Sequence, residues 1–282
     1  MAGPIVVGVD GSGRSLRALA WASHEAVLHG CALRVIHVLP GAHEYGLSAG
    51  ARASRTHERD RGVVDEATAI AREAHPDLEV TSDLPSGSPA AVLLSESEHA
   101  HTVVLGAKGM GGFASLLLGS VAVQVVGHTA CPVVIVNHVT TGNHRIVVGA
   151  DGSAHSQAAL AYAFREASLR GDQLQAVHAW SPPGPPALVS SDPTVAEALS
   201  ERRRALEEWL APLRQEYPGV KAVEDLVQEA PVLALARASD RADLMVVGSR
   251  GRGGFHGLAL GSVSHALLQF SLCPLAVVRP RP

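Results

Sequence analysis

The sequence has few cysteines, few aromatic residues and no excess of positive charge. Of its 282 residues, 4% are aromatic and three are cysteines, Cys31, Cys131 and Cys273. Such a small, odd set without a CxxC pair argues against a disulfide framework and favours a reducing cytosol. The formal net charge of −4 also lacks the basic excess that is typical of nucleic-acid-binding proteins. We therefore expect a cytoplasmic chain that does not bind nucleic acid.

Long apolar runs are lacking as well. No stretch approaches the ~18 consecutive apolar residues of a membrane span, and the first residues have no basic segment of the kind that opens a signal peptide. The composition, 46% hydrophobic and 18% charged, is that of an ordinary globular protein. We therefore expect no association with a membrane.

Basic residues cluster once, at Arg202–Arg204. Acidic residues flank this cluster, namely Glu201 on one side and Glu207 and Glu208 on the other. Mixed charges at this spacing are typical of a solvated helix face, because oppositely charged side chains three or four residues apart support each other. This is the interpretation that we adopt for the cluster.

The chain contains two copies of one pattern. Residues 5–12 read IVVGVDGS and residues 146–153 read IVVGADGS. Each is followed, about ninety-five residues later, by a second shared phrase, which occupies residues 103–120 and 245–262. Asp10 and Asp151 are 141 positions apart, and Gly119 and Gly261 are 142 apart. A constant offset over half of a chain predicts two tandem domains of one fold, which we place at residues 1–138 and 144–282.

Each copy alternates short β-branched runs with longer helical patterns. In the first copy this predicts strands over Ile5–Val9, Leu33–Leu39, Leu78–Ser82 and Thr102–Leu105, and a fifth strand that begins near Pro132. In the second copy it predicts strands near Arg145–Ala150, Leu174–Ala179, Val220–Val227, Leu244–Val247 and Leu275–Val278. The predicted fold class is α/β: two doubly wound domains, each a five-stranded parallel sheet of order 3-2-1-4-5 with helices on both faces. Loops over residues 41–52 and 181–186 differ between the copies.

The glycine phrase has the properties of an anion site. It reads Gly106-x2-Gly109-x9-Gly119-Ser120 in the first copy and Gly248-x2-Gly251-x9-Gly261-Ser262 in the second, from the end of a strand to the start of a helix. Glycines allow backbone N–H groups to approach an anion, and a helix start adds partial positive charge. We expect Ser120 and Ser262 to cap their helices. The phrase matches neither a P-loop nor a dinucleotide-binding fingerprint, and a single such turn is commonly only a turn.

Asp10 and Asp151 end the first strand of each copy. An aspartate before Gly-Ser is a common turn residue, so the position alone leaves a structural role open. In a sheet of order 3-2-1-4-5, however, strands one and four border the switch point where ligands bind. Asp10 is therefore expected to face the same crevice as the Gly106 loop. His37 and His178 also match between the copies, and for them packing near the core is the favoured interpretation.

Together these phrases, with the closing Cys-Pro-Val, resemble the universal stress protein family in its tandem-domain form. The resemblance covers essentially the whole chain, twice, and implies an ATP-binding domain of the adenine-nucleotide α-hydrolase-like fold. It implies that Asp10-Gly11 and Asp151-Gly152 lie by the adenine and ribose, with backbone contacts to the base from Val38 and Ala179. It implies that the ribose and phosphates are held by Gly106, Gly109, Gly119 and Ser120 in one copy and by Gly248, Arg250, Gly251, Gly261 and Ser262 in the other.

The copies differ beside the expected phosphates. The first has Lys108 and Met110 where the second has Arg250 and Arg252. Fewer cations predict weaker ATP binding in the N-terminal copy. Mg²⁺ is expected to accompany the triphosphate, although no dedicated carboxylate cage for a metal is readable.

Catalytic groups are not evident in the sequence. Beside the glycine phrase, no acid, histidine or lysine recurs in both copies apart from the cation at Lys108 and Arg250, so hydrolysis has no obvious water-orienting group. We expect a nucleotide-dependent stress or growth regulator rather than an enzyme. The alternative is a nucleotide-using enzyme of the related α-hydrolase-like superfamily, either a slow ATPase or an adenylating enzyme.

Association is expected through the fifth strands. The apolar runs Val133–Val136 and Leu275–Val278 would lie at sheet edges, which are a liability unless covered. We expect the two runs to associate within the chain as a pseudo-twofold dimer. The family resemblance implies dimerisation through this strand, and a homodimer of the whole chain is expected in addition.

Overall fold

The computed structural model describes residues 3–39, 51–109, 118–181, 193–253 and 259–280, with the backbone alone for 51–56 and 193–194. The chain divides into two compact units, Met1–Val139 and Thr140–Pro282. The two differing loops predicted at 41–52 and 181–186 fall largely outside the described residues, as does Met110.

Strands and helices alternate in both units. The first unit contains β1 (Ile5–Gly8), α1 (Gly13–His29), β2 (Leu33–Ile36), α2 (Ala51–Ala74), β3 (Val80–Asp83), α3 (Pro89–Ser97), β4 (Thr102–Gly106), α4 (Ser120–His128) and β5 (Val133–Val136). The second contains β6 (Arg145–Gly149), α5 (Ala154–Arg170), β7 (Gln173–Ala179), α6 (Pro193–Glu216), β8 (Ala222–Val227), α7 (Pro231–Ser239), β9 (Leu244–Gly248), α8 (Ser262–Phe270) and β10 (Leu275–Val278).

The predicted strand order is confirmed in both units. The first unit has the order β3-β2-β1-β4-β5 and the second has β8-β7-β6-β9-β10, with the assigned pairs within each unit all parallel. The central strands are buried because helices cover both faces: α1 packs with α2, and α3 packs with α4. Fully buried aliphatic strands of this kind are typical of parallel sheets. The carboxyl ends of the first and fourth strands of each unit are therefore neighbours.

The first helix of each unit starts and stops where the sequence predicts. The Ser12 side chain accepts a hydrogen bond from the Ser15 N–H at 3.2 Å, and Ser153 caps α5 in the same way through Ser156. Such caps satisfy an N–H group that has no partner within the helix. Gly30 ends α1 with a φ of 60°, a left-handed conformation that favours glycine.

Strand ends differ from the prediction where pairing stops. β2 ends at Ile36 rather than at Leu39, because its partner β1 ends at Gly8, which is opposite Ile36. β7 reaches Ala179 because β8 continues beside it as far as Val227. β3 begins at Val80 instead of Leu78, since the Leu78 N–H is engaged in a turn with the His75 carbonyl.

The solvated helix face predicted at Arg202–Arg204 is only partly correct. Arg203 and Arg204 are exposed on α6. Arg202 instead lies over the indole of Trp180, with its guanidinium carbon 4.4 Å from the ring centroid. Trp180 follows β7 and is far from Arg202 in sequence, so local charge spacing gave no indication of this contact.

Within the described residues, no helix combines the length and the hydropathy that crossing a bilayer requires.

Candidate functional site

The second unit has a cavity of about 390 Å³ at the carboxyl ends of β6 and β9. This is the position expected for a ligand in a doubly wound sheet, at the switch point between the first and fourth strands. Most of the residues predicted for the C-terminal site line it: Asp151, Ala179, Gly248, Arg250, Gly251, Gly261 and Ser262. Gly152, the remaining predicted residue, lies next to Asp151 in the turn that follows β6.

Asp151 is held in place by backbone N–H groups. One carboxylate oxygen accepts from the Ser153 N–H and the other from the Arg252 N–H, each at 3.0 Å. Burial alone would raise the pKa of Asp151, but the hydrogen bonds from Ser153 and Arg252 outweigh it and the pKa is lowered. The second of these bonds ties the end of β6 to the loop after β9. Asp151 therefore positions the glycine phrase as well as facing the cavity.

Two glycines of the phrase stand where no side chain fits. A Cβ on Gly251 would collide with the Asp151 carboxylate, and a Cβ on Gly248 would lie 2.6 Å from the backbone of His155. Real Cβ atoms essentially never approach other atoms so closely. The glycines at these two positions are therefore required for the loop to close against β6 and α5.

Three arginines lie at or near the polar end of the cavity, and Arg250 and Arg252 are the two that line it. The Arg250 Nε is buried and has no hydrogen-bond partner among the described residues. Arg279 follows β10 and donates to the Ala259 carbonyl at 2.9 Å. Its pKa is lowered, first by burial and then by the charge of Arg250. Arg252, the third arginine, also lines the cavity. Two guanidiniums that repel each other in a partly buried place favour an anion between them.

Polar contacts link α5 and α8 to the end of β9 and the residue after it. The Ser249 hydroxyl and His155 Nδ1 are 2.9 Å apart, and Ser264 donates to the Gly248 carbonyl at 2.6 Å. The pKa of His155 is lowered, first by burial and then by the charges of Arg250 and Arg279. The pKa of His155 therefore responds to the positive charge of Arg250, which lines the cavity, and of Arg279.

The predicted caps of the last helices are wrong in detail. Gly119 and Gly261 are the N-cap residues of α4 and α8, and the serines that follow them are the first helical residues. No side-chain cap is formed at either start. Because the glycines have no side chain to satisfy the first N–H groups, these groups remain available to an anion beside the Ser120 or Ser262 hydroxyl. The starts of α4 and α8 are therefore suited to bind an anion.

The opposite end of the cavity is apolar. Val177, Ala179, Pro231, Leu235 and Val247 line it. An apolar cleft that leads to a cluster of cations and open N–H groups has the chemistry of a mononucleotide site, since a base stacks on aliphatic surface while phosphates need positive partners.

The first unit repeats the geometry around its own aspartate. Asp10 accepts from the Ser12 N–H at 3.0 Å, and a Cβ on Gly109 would collide with its carboxylate. The Gly119 N–H donates to the Ala107 carbonyl at 2.8 Å, as Gly261 does to Ser249. Lys108 is buried. The other predicted residues lie in the same turns: Gly11 after β1, Val38 after β2, Gly106 at the end of β4 and Ser120 at the start of α4.

The two matched histidines pack as predicted. His37 Nδ1 lies 2.7 Å from the Val9 carbonyl, and His178 Nδ1 lies 2.6 Å from the Ala150 carbonyl. Each therefore donates to the residue before the aspartate and fixes the end of the first strand. The pKa of His178 is lowered, mainly by burial.

The sequence did not indicate several residues near the polar end of this cavity in the second unit. Arg279, His155 and Ser249 were not singled out, although each differs from its counterpart in the first copy, where Asn137, Arg14 and Ala107 stand. A position-by-position comparison of the two copies would have drawn attention to them, because the differences collect around a single loop.

Comparison with known proteins identifies the family. The model of the universal stress protein family matches twice, over residues 1–137 and 142–279. A universal stress protein of Mycolicibacterium smegmatis is 35% identical, covering 98% of this chain and 97% of its own, and one of Mycobacterium tuberculosis is 36% identical, covering 98% and 96%. The fold is shared with the crystal structure of a universal stress protein from Archaeoglobus fulgidus, at a TM-score of 0.73 and 23% identity over 99% of this chain and 96% of the other. The chain belongs to the universal stress protein family and carries two of its domains.

Proposed function

We propose that the protein is an ATP-binding regulator with one nucleotide site in each unit. The observation that carries the proposal is the charge arrangement of the second unit. The charges of Arg250 and Arg279 both lower the pKa of His155, and the Arg250 Nε lacks an acceptor among the described residues. A polyphosphate would supply an acceptor for the Arg250 Nε and offset the charge of the two arginines, and its base would occupy the apolar end.

From its apolar end to its polar end, the cavity offers residues suited to the base, the ribose and the phosphates of an adenine nucleotide. Val177, Leu235 and Val247 would hold the base, and Asp151 would lie between the base and the ribose. The N–H groups at Gly251 and at the start of α8, with Arg250 and the Ser262 hydroxyl, would hold the phosphates. Mg²⁺ would arrive with the triphosphate and supply charge neutralisation there.

The lining supports binding rather than catalysis. Asp151 is the one carboxylate among the described lining residues, and both of its oxygens already accept backbone N–H groups. A carboxylate held in this way, with a lowered pKa, is a poor base for activating water. We therefore propose that ATP acts as a ligand and that turnover is incidental, with an adenylating or ATP-hydrolysing enzyme as the competing proposal.

Binding is tested on Arg250→Gln and on a matched control, Arg241→Gln, which removes an exposed arginine from the same unit. Mass spectrometry of small molecules released by denaturing the purified protein identifies the ligand, and calorimetry with MgATP measures its affinity. We expect Arg250→Gln to weaken the C-terminal site about tenfold or more, since a charge-assisted hydrogen bond contributes ~1.5–3 kcal/mol. Equal affinity of the two variants would contradict the proposal.

Turnover is tested by measuring ADP and AMP release from saturating MgATP. We expect rates well below ~1 per second, the lower range of ordinary enzymes. A faster rate that disappears in Arg250→Gln would contradict the proposed regulator and support the competing proposal of an enzyme.

A further inference from the structure

A second cavity, of about 370 Å³, lies in the second unit between the end of β7 and helix α6. Trp180, His178, Arg202 and Trp209 line it. It also includes Asp151 and Arg252, which line the first cavity as well. The two cavities therefore adjoin, but the residues from α6 belong to the second alone.

Two arginines in this cavity lie over two indoles. The guanidinium carbon of Arg202 is 4.4 Å from the centroid of Trp180, and that of Arg252 is 5.4 Å from the centroid of Trp209. A guanidinium over an aromatic ring is held by its positive charge and keeps N–H donors that can bind a carboxylate or phosphate. The Arg252 side chain makes no hydrogen bond or ion pair with the described residues, and Arg202 makes only a 3.4 Å contact to the Ala198 carbonyl of its own helix. Both guanidiniums thus have donors to offer.

Trp180 adds a further unsatisfied donor. Its side chain is 7% exposed, and its indole Nε1 is buried without a hydrogen-bond partner among the described residues. A buried N–H without an acceptor costs ~1–3 kcal/mol. A ligand oxygen or ring nitrogen admitted beside Trp180 would remove that cost.

The acids of the cavity leave the guanidiniums available. Asp151 is engaged by the N–H groups of Ser153 and Arg252. Glu201, the other acid in the lining, is on the exposed side of α6. His178 donates its Nδ1 proton to Ala150, and its lowered pKa keeps the ring neutral near pH 7. The cavity is therefore lined by two indoles, two guanidiniums and a neutral imidazole.

The first unit does not repeat this arrangement. Leu39 stands where the second unit has Trp180, and Val63 faces Gly11 where Trp209 faces Gly152. His37, the counterpart of His178, lies with its Nε2 3.3 Å from the Asp60 carboxylate. The aromatic and cationic residues are thus an addition to the second unit and are not required by the shared fold.

We propose that this cavity binds a second small ligand, an aromatic ring that carries a carboxylate or phosphate, beside the nucleotide site and only in the C-terminal unit. The ring would pack against the indoles, and the anionic group would accept from the N–H donors of Arg202 and Arg252. The ligand is distinct from the ATP of the first cavity, although Arg252 contacts both.

The test uses the 282-residue chain with Trp21→Phe, so that Trp180 and Trp209 are its remaining tryptophans. Their fluorescence is followed at saturating MgATP during titration with phenyl phosphate, benzoate, inorganic phosphate or benzyl alcohol. We expect saturable changes with phenyl phosphate or benzoate, and the stronger of the two identifies the anionic group. Inorganic phosphate and benzyl alcohol, which lack the ring or the charge, are expected to bind at least tenfold more weakly. Equal binding of either one, or no saturation by any probe, would overturn the proposal.

Arg202→Gln and Arg203→Gln form the matched pair, because the two arginines are neighbours on α6 and Arg203 is exposed. We expect Arg202→Gln to weaken the bound probe at least fivefold and Arg203→Gln to change it less than twofold. Equal effects would overturn the site. ATP binding is measured separately by calorimetry. A chain that binds the probe but does not bind ATP would contradict the proposed function and support the second site.

Discussion

Gly251 and Gly253 lie two residues apart in the loop after β9 but have different surroundings. A Cβ on Gly251 would collide with the Asp151 carboxylate, whereas a Cβ on Gly253 would meet nothing within 4 Å. We expect Gly251→Ala to weaken ATP binding at the C-terminal site about tenfold. Displacing a carboxylate that accepts two N–H groups costs on the order of 1–2 kcal/mol, and 1.4 kcal/mol is tenfold.

Calorimetry with MgATP measures this effect. The control is Gly219→Ala, because a Cβ on Gly219 also meets nothing within 4 Å and Gly219 does not line the cavity, whereas Gly253 does. The control is expected to keep the affinity within twofold. If both alanines had the same effect, contact with Asp151 would not be the reason for the glycine at position 251.

Asp151 makes stability depend on pH in a defined direction. Hydrogen bonds lower its pKa in the folded state below the unfolded value of about 3.9. The carboxylate therefore contributes stability that is fully present above that value and is lost as the pH falls through the folded pKa. We expect Asp151→Asn to be less stable than the wild type at pH 6 and to lose less stability between pH 5 and pH 2.5.

Urea unfolding at a series of pH values measures this difference. Asp240→Asn, which changes an exposed aspartate of the same unit, is expected to keep the wild-type dependence. Parallel curves for Asp151→Asn and the wild type would show that the hydrogen bonds do not stabilise the charged carboxylate.

His155 is expected to report the arrival of phosphate. Its pKa is lowered by burial and then by Arg250 and Arg279. An anion between these arginines offsets their charge, so MgATP should raise the pKa of His155. NMR titration of the His155 ring with and without MgATP measures the shift, and Arg250→Gln in the absence of nucleotide should shift the pKa in the same direction. A pKa that ATP leaves unchanged or lowers would place the phosphates elsewhere.

At the scale of residues, the sequence predicted the glycines and aspartates but not their partners. Asp151 and Gly251 were evident because they repeat with constant spacing, and the structure brings them into contact. Arg202 was assigned to solvent because its partner, Trp180, lies in another element. Arg279 was missed for the same reason. Contacts between distant elements are decided by packing, which local charge patterns do not contain.

Turns between a first strand and its helix offer a comparison at the scale of elements. Gly11 and Gly152 occupy equivalent turns, with φ values of 80° and 79°. A Cβ on Gly11 would lie 3.2 Å from a methyl group of Val63, whereas one on Gly152 would collide with the Trp209 ring and the Arg252 guanidinium. Both alanine variants lose about 1 kcal/mol to left-handed strain, and Gly152→Ala should lose further stability.

Urea unfolding of the two variants measures the difference, and each serves as the control for the other. We expect Gly152→Ala to be the less stable by about 1 kcal/mol or more, as for other overpacked sites. In a double-mutant cycle, Gly152→Ala should cost less stability in the Trp209→Ala background than in the wild type. Equal destabilisation of the two variants would mean that Trp209 moves aside at little cost.

Element boundaries show what periodicity can and cannot provide. The starts of α1 and α5 were predictable because Ser12 and Ser153 are caps, and a cap is a local feature. The end of β2 was not, because a strand ends where its neighbour stops offering hydrogen bonds. Ile36 is the last residue of β2 opposite β1. Beyond it, Leu39 forms only an isolated parallel bridge with Ser86, which follows β3.

At the scale of the whole molecule, duplication has preserved the fold more closely than the site. Both units have the same strand order and the same aspartate–glycine contact. The charges around the contact differ, since Lys108 and Asn137 in the first unit stand where Arg250 and Arg279 stand in the second. The repeat alone predicted the shared fold, whereas the inequality of the sites came from the positions at which the copies disagree.

The C-terminal site is therefore expected to bind ATP more tightly than the N-terminal one. Asp10→Ala leaves the second site intact, and Asp151→Ala leaves the first, so calorimetry with MgATP on the two variants compares them in one chain. We expect Asp10→Ala to bind ATP about tenfold more tightly, or more, than Asp151→Ala does. Each further arginine–phosphate bond in the C-terminal site contributes ~1.5–3 kcal/mol. Raising the salt concentration should narrow the difference, since it screens the partly exposed charges. A tighter N-terminal site, or a difference insensitive to salt, would show that the arginines do not set the order of affinity.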